Sequence, residues 1–242
     1  MKNIFPSAVL FDLDDTILGT TVCSNKCWKL LSEKYAPIFR QRGHLNISPT
    51  DIVKSINDFS LWFWSDANRN RDGRLNPEQA LLETIRGGLE ALGITDLETI
   101  ESMSQKWDDM RWSMLKPLPK AIDTLKKFKV AGVKLALITN GNARNQTRKV
   151  QVLGLESLMD HIQIEGEFGL GKPDPESYFN ALKHLNVSPK ETWMAGDNLE
   201  FDVIAPMKLG ISGIWVDTNR IGLEFHTGPT PDLVVQSISE LV

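Results

Sequence analysis

Apolar and polar positions change pattern twice along this chain. Ala8 to Phe11 is a short, continuously apolar run, the signature of a strand buried on both faces. It stops at three carboxylates within four residues, Asp12, Asp14 and Asp15. From roughly residue 18 to 116 the spacing predicts helices and no strand. The first helix runs through Cys27, Leu30, Leu31 and Ile38 and ends near Arg40 to Gly43. The second opens on the cap Ser48-Pro49-Thr50-Asp51 and carries Ile52, Ile56, Phe59 and Phe63 on one face. The third opens on Asn76-Pro77 and ends at Gly93. The fourth follows Thr95-Asp96 and spaces Ile100, Met103, Trp107, Met110 and Met114 as core positions.

From Lys116-Pro117-Leu118-Pro119 onward, helical patterns alternate with short apolar runs. Strands are predicted at Val133 to Ile138, Ile162 to Ile164, Trp193 to Ala195, Gly213 to Val216 and Leu233 to Val235. Such alternation argues an α/β domain with a doubly wound parallel sheet. The strand Ala8 to Phe11 has no helix of its own, so it belongs to that sheet. The predicted organisation is a core of residues 1–17 and 117–242, interrupted by an all-helical insert at 18–116.

Composition narrows the function classes. The 242 residues suffice for a proper core, and a net charge of −4 offers no broad basic field, so nucleic acid is not an expected partner. No apolar run approaches membrane-spanning length, so no membrane partner is expected either. The N-terminal apolar run, broken by Pro6 and ended by Asp12, is too short for a secretory leader. Cys23 and Cys27 lack the further ligands of a zinc site and read as buried packing. A cytoplasmic protein, monomeric or weakly dimeric, is expected.

The candidate chemistry sits where such sheets bind ligands, beyond the carboxyl ends of the strands. Along an extended chain Asp12 and Asp14 point to the same side. Neighbouring carboxylates resist joint ionisation, and a bound cation removes the difficulty. The strand Leu135 to Ile138 ends in Thr139-Asn140-Gly141, a hydroxyl, an amide and a flexible backbone that suit a phosphate. Gly171-Lys172-Pro173 places a lysine in a stiff loop. The strand Trp193 to Ala195 ends in Gly196-Asp197, with Asp202 five residues on.

With Asp12, Asp14 and Thr16 as Asp-x-Asp-x-Thr, then Thr139, Lys172 and Gly196-Asp197 with Asp202, the chain resembles the haloacid dehalogenase superfamily of aspartate-dependent phosphohydrolases. The resemblance implies a Rossmann-like core and makes the helical insert a cap. Leu137-Ile-Thr-Asn-Gly141 followed by Gln146 and Lys149, with Phe63-Trp-Ser-Asp66, is most similar to N-acylneuraminate-9-phosphatases and nucleotide phosphatases. One departure is Pro206, which should remove a hydrogen bond and kink the helix just past Asp202.

The resemblance implies Asp12 as nucleophile and Asp14 as general acid, then base. Mg²⁺ would lie on Asp12, Asp14 (through its carbonyl) and Asp197. Lys172, Thr139, Asn140 and Gly141 would bind the phosphate, with Thr16 and Asp202 in support. An ordinary aspartate titrates near ~3.9, so holding Asp14 half protonated at neutral pH requires roughly 4 kcal/mol. Burial beside other carboxylates is the expected source. The substrate is expected to be a small phosphomonoester. The alternatives are a phosphotransferase or mutase on a sugar phosphate, and a non-catalytic module of the same fold. Selectivity is expected from the cap, where Arg40, Arg42, Lys54, Trp62, Arg69, Arg71 and Arg74 are candidates.

Two other readings compete. Asn68-Arg-Asn70-Arg-Asp72-Gly73 resembles a calcium loop, but Gln79 stands where the terminal glutamate belongs and three arginines crowd it. Dehalogenation needs neither metal nor acid, and both Asp14 and Asp197 are present.

Overall fold

The computed structural model describes residues 5–44, 46–224 and 226–242. The start of the N-terminal run read as too short for a leader, residues 1–4, lies outside them. The chain divides into two compact units, Met1–Gly19 with Lys116–Val242, and Thr20–Leu115.

The first unit is a six-stranded parallel sheet. Its strands are β1 (Ala8–Phe11), β2 (Lys134–Thr139), β3 (His161–Ile164), β4 (Thr192–Gly196), β5 (Ser212–Val216) and β6 (Leu233–Val235), in the order β3-β2-β1-β4-β5-β6. The order reverses between β1 and β4, which is the switch point where a doubly wound sheet opens a crevice. All four residues of β1 are fully buried, as its unbroken apolar run requires. Alternate residues serve opposite faces. Ala8 and Leu10 pack with Tyr178, Ala181, Leu182 and Leu185 of α9 (Pro175–Leu185), whereas Phe11 meets Phe128 of α6 (Ala121–Val130).

The second unit holds α1 (Thr20–Gln41), α2 (Pro49–Ser65), α3 (Ala67–Leu75), α4 (Pro77–Glu90) and α5 (Leu97–Met114). Its core joins Trp28, Leu31, Tyr35 and Phe39 to Ile52, Ile56, Ile85, Leu89, Ile100 and Met103. Trp107 is half-buried and stacks on Trp28, with ring centroids 5.2 Å apart. Cys23 and Cys27 are buried free thiols, and Cys27 is pushed up to about 12 by burial and by Cys23, which keeps it unreactive.

The structure fixes the form of two stretches singled out by sequence. The calcium-like stretch is not a loop but the helix α3, capped by Asp66, whose carboxylate accepts from the Asn68 and Arg69 backbone. A continuous helix cannot wrap ligands round an ion. The helix carrying Pro206 continues with right-handed dihedrals at Ile204 and Ala205, but its hydrogen bonding changes there. Leu199–Ile204 forms a π turn, and Pro206 then opens the α turn Ala205–Lys208, where its missing N–H costs least.

Candidate active site

Parallel register builds the site. Phe11 pairs with Leu137 on one side and Ala195 on the other, so the residues following β1, β2 and β4 emerge at one edge. The Asp12 backbone N–H continues the ladder by donating to the Ala195 carbonyl at 3.0 Å. Asp12, at the end of β1, is thereby fixed beside Asp197, at the end of β4.

Lys172 reaches this edge from the loop before α9. Its side chain is only 2% exposed, and its ammonium donates to Asp12 Oδ1 at 2.7 Å and Asp202 Oδ1 at 2.6 Å. Burial opposes a charged lysine, but the two carboxylates outweigh it and hold Lys172 protonated, well above its ordinary range. Asp202 is held at its other oxygen by the Asn198 N–H at 3.0 Å. The π turn carrying it is tied down by the buried Tyr178 hydroxyl, which donates to the Phe201 carbonyl. Gly196 allows this arrangement, because a Cβ there would sit 2.3 Å from Asp202 Cγ.

Asp12, Asp197 and Asp202 each bring a carboxylate oxygen within 4.8 Å of the others, the one such acidic cluster among the described residues. Burial pushes Asp12 up to about 7 against the pull of Lys172, with Asp202 and Asp14 adding to the rise. Asp197 is pushed up to about 8 by burial first, then by Asp12, Asp202 and Asp15. Three carboxylates thus face one ammonium, a shortage of positive charge that a divalent, oxygen-seeking cation fits. Both oxygens of Asp202 already accept hydrogen bonds, so Asp12 and Asp197 offer the less committed ligands.

The remaining predicted residues divide. The half-buried Asp14 is gripped by Lys149, whose ammonium donates to its two oxygens at 2.8 and 2.7 Å. Gln146 Nε2 donates to Asp14 Oδ2 at 3.1 Å, to Thr139 Oγ1 at 2.5 Å and to the Asn140 carbonyl at 2.9 Å. The burial expected around Asp14 is incomplete: its side chain is 32% exposed, and its close partner is a cation. Asn140 does not aim its amide at a ligand. The amide brackets the Lys172 backbone, donating to its carbonyl at 2.7 Å and accepting from its N–H at 2.8 Å. The Gly141 N–H, expected to face phosphate, donates to buried Glu165 at 2.9 Å. The Thr16 hydroxyl is buried and has no hydrogen-bond partner among the described residues.

Residues 6–210 match the family model described as haloacid dehalogenase-like hydrolase. The chain belongs to the haloacid dehalogenase-like hydrolases. This hydrolase is 29% identical over 234 residues to the glyceraldehyde 3-phosphate phosphatase of Methanocaldococcus jannaschii, a match covering 97% of this chain and 94% of that one. It is 24% identical over 252 residues to human N-acylneuraminate-9-phosphatase, covering 97% and 91%. Its fold is similar to that of the hydrolase YfnB from Bacillus subtilis, crystallised with magnesium, at a TM-score of 0.72 and 18% identity over 98% and 97% of the two chains. Gln146 and Lys149 marked the finer resemblance in sequence without a role. Their spacing of three on α7 (Ala143–Leu153), directly after the β2 turn, was the available signal that both face Thr139's edge.

Proposed function

We propose that this hydrolase is a Mg²⁺-dependent phosphatase that cleaves a small phosphomonoester through an aspartyl-phosphate on Asp12. The observation that carries the proposal is the bridge from Lys172 to Asp12 and Asp202, beside Asp197, at the switch point of the sheet. The two relatives, named as phosphatases of glyceraldehyde 3-phosphate and of an acylneuraminate 9-phosphate, support the substrate class.

In the first step an Asp12 carboxylate oxygen attacks phosphorus, the ester P–O bond breaks, and the leaving alkoxide takes a proton from Asp14. In the second, water attacks the aspartyl-phosphate at phosphorus and gives its proton to Asp14, and Asp12 leaves as carboxylate. Lys172 and the Thr139 hydroxyl hold phosphoryl oxygens through both steps. Mg²⁺, held by Asp12, Asp197 and the Asp14 carbonyl, would offset the repulsion between the anionic nucleophile and the phosphate. Asp202 acts through Lys172, fixing its ammonium.

The helical unit is proposed as the cap that selects the substrate. There Arg42 is bound to Asp96 and Thr99, Lys54 to Asp58, and Arg69 lies 4.0 Å over the Trp62 ring, whereas Arg40 and Arg71 are exposed. Among the described residues no helix is long and apolar enough to cross a membrane.

The test is a panel of sugar phosphates, nucleotides and acyl-sugar phosphates with Mg²⁺, run with and without acceptor alcohols. Release of inorganic phosphate that vanishes in Asp12→Asn supports the proposal. Phosphate passing only to an acceptor would favour a phosphotransferase. Hydrolysis persisting in Asp12→Asn would contradict it.

A further inference from the structure

The α7 helix begins immediately beyond the β2 turn and buries Gln146, Lys149 and Val150 on one face. Lys149 is a costly residue to place there. Its side chain is 8% exposed, and a long side chain gives up rotamer freedom as well as hydration when buried. Both of its hydrogen bonds go to one carboxylate, Asp14, across 135 residues of chain. Two contacts from one ammonium to the two oxygens of a carboxylate fix its position more tightly than a single bond would.

Gln146 extends the same constraint to the phosphate side. Its Nε2 carries two hydrogens but meets three acceptors, Asp14 Oδ2, Thr139 Oγ1 and the Asn140 carbonyl. When it donates to Thr139 Oγ1, it occupies a lone pair of the hydroxyl and leaves the O–H proton for another acceptor. The alternative acceptor, the Asn140 carbonyl, lies 3.5 Å from Thr139 Oγ1, at the limit of a hydrogen bond. The Thr139 proton is therefore available to a phosphoryl oxygen.

We propose that Lys149, with Gln146 one turn before it, is the positioning residue for Asp14. In this role α7 sets the carboxyl that moves the proton in register with the threonine that holds the phosphoryl group. Both residues act through the Asp14 carboxyl and the Thr139 hydroxyl, and neither contacts the Asp12 nucleophile. The inference rests on the phosphatase reading, in which Asp14 protonates the leaving oxygen.

The test uses Lys149→Met, which keeps the stem and removes the charge, and Lys149→Arg, which keeps the charge. Lys149→Met should slow cleavage of alkyl phosphates on the order of 10- to 100-fold, a part of the 10²–10⁴-fold that positioned proton transfer supplies. An aryl phosphate, whose leaving group scarcely needs a proton, should lose far less in the phosphorylation step, and Lys149→Arg should recover much of the alkyl rate. On an Asp14→Asn background the same substitution should cost nothing further. Two readouts need no turnover. Mg²⁺ affinity by calorimetry should be unchanged in Lys149→Met. In metal-free protein, the Tm losses of Lys149→Met and Asp14→Asn should combine to less than their sum. Equal losses for alkyl and aryl substrates, additive losses with Asp14→Asn, or weakened Mg²⁺ binding would overturn the positioning role. Asp12→Asn, run in parallel, separates this failure from failure of the phosphatase reading, because only the latter leaves Asp12→Asn active.

Discussion

Replacing Lys172 with methionine removes the cation from a buried acidic cluster and gives a pH-dependent cost that can be worked out in advance. The ammonium makes two charge-assisted bonds at 2.7 and 2.6 Å, from a side chain 2% exposed. Breaking a buried pair by removing one partner costs about 3–5 kcal/mol, because the remaining charge is left without compensation. Two carboxylates would be so left, but Asp12 has an escape, which is to bind a proton. Asp12 already sits at about 7 with Lys172 beside it, and without that pull it rises further. A carboxyl raised above its unfolded value of 3.8 binds more protons in the folded state, so its stability contribution is lost as pH climbs. In metal-free buffer Lys172→Met should therefore lose stability from about pH 5 to pH 9 more steeply than the parent. The gap should approach ~4 kcal/mol at the alkaline end and shrink toward the acid end. Urea unfolding at three pH values, read as midpoint and slope, measures this directly. A gap below about 1 kcal/mol at pH 9, or one that does not depend on pH, would refute the view that Lys172 neutralises this cluster.

Other consequences follow from the same geometry. Gly196→Ala drives a Cβ into Asp202, and overpacking with displacement of that carboxylate should cost roughly 2–4 kcal/mol and most of the activity, read by thermal melts and phosphate release. Mg²⁺ at about 100 times its Kd should stabilise the parent by about 2.7 kcal/mol in a melt, and Asp197→Asn should lose most of that gain; an equal gain in both would place the ion elsewhere. Asp160 sits below its ordinary 3.8: burial opposes this, but Lys129 at 2.6 Å and the Leu135 N–H at 2.8 Å prevail. Asp160→Asn should cost about 1 kcal/mol near neutral pH, and the difference should be lost as pH falls below the ordinary 3.8 and through the lowered folded pKa; a constant difference would be the contrary result.

The strand β1 and its aspartates were legible because an apolar run buried on both faces and ended by carboxylates has few other uses. The sheet was legible because helical and apolar patterns alternate. The helix α3 was not: Ala67 to Leu75 has no apolar stripe, and it is held by the Asp66 cap and by Gly73 packed against Phe63 and Trp64. The site was legible as a set of residue types at strand ends, but not as a set of partners. Nothing local shows that the Asn140 amide spans 32 residues to clamp Lys172, or that Gly141 gives its N–H to Glu165. The grip of Lys149 on Asp14 likewise joins residues that only parallel register brings together.

The central claim is covalent: phosphorus passes through Asp12. The most direct measurement is the mass of the Asp14→Asn variant mixed with Mg²⁺ and an aryl phosphate, followed by peptide mapping after an acid quench. That variant keeps the nucleophile and loses the base for the second step, so a pre-steady-state burst of phenol should accompany one added phosphoryl group on the peptide containing Asp12. The adduct should be absent from the Asp12→Asn, Asp14→Asn double variant. Turnover with no burst and no adduct, or an adduct on any other peptide, would contradict the account.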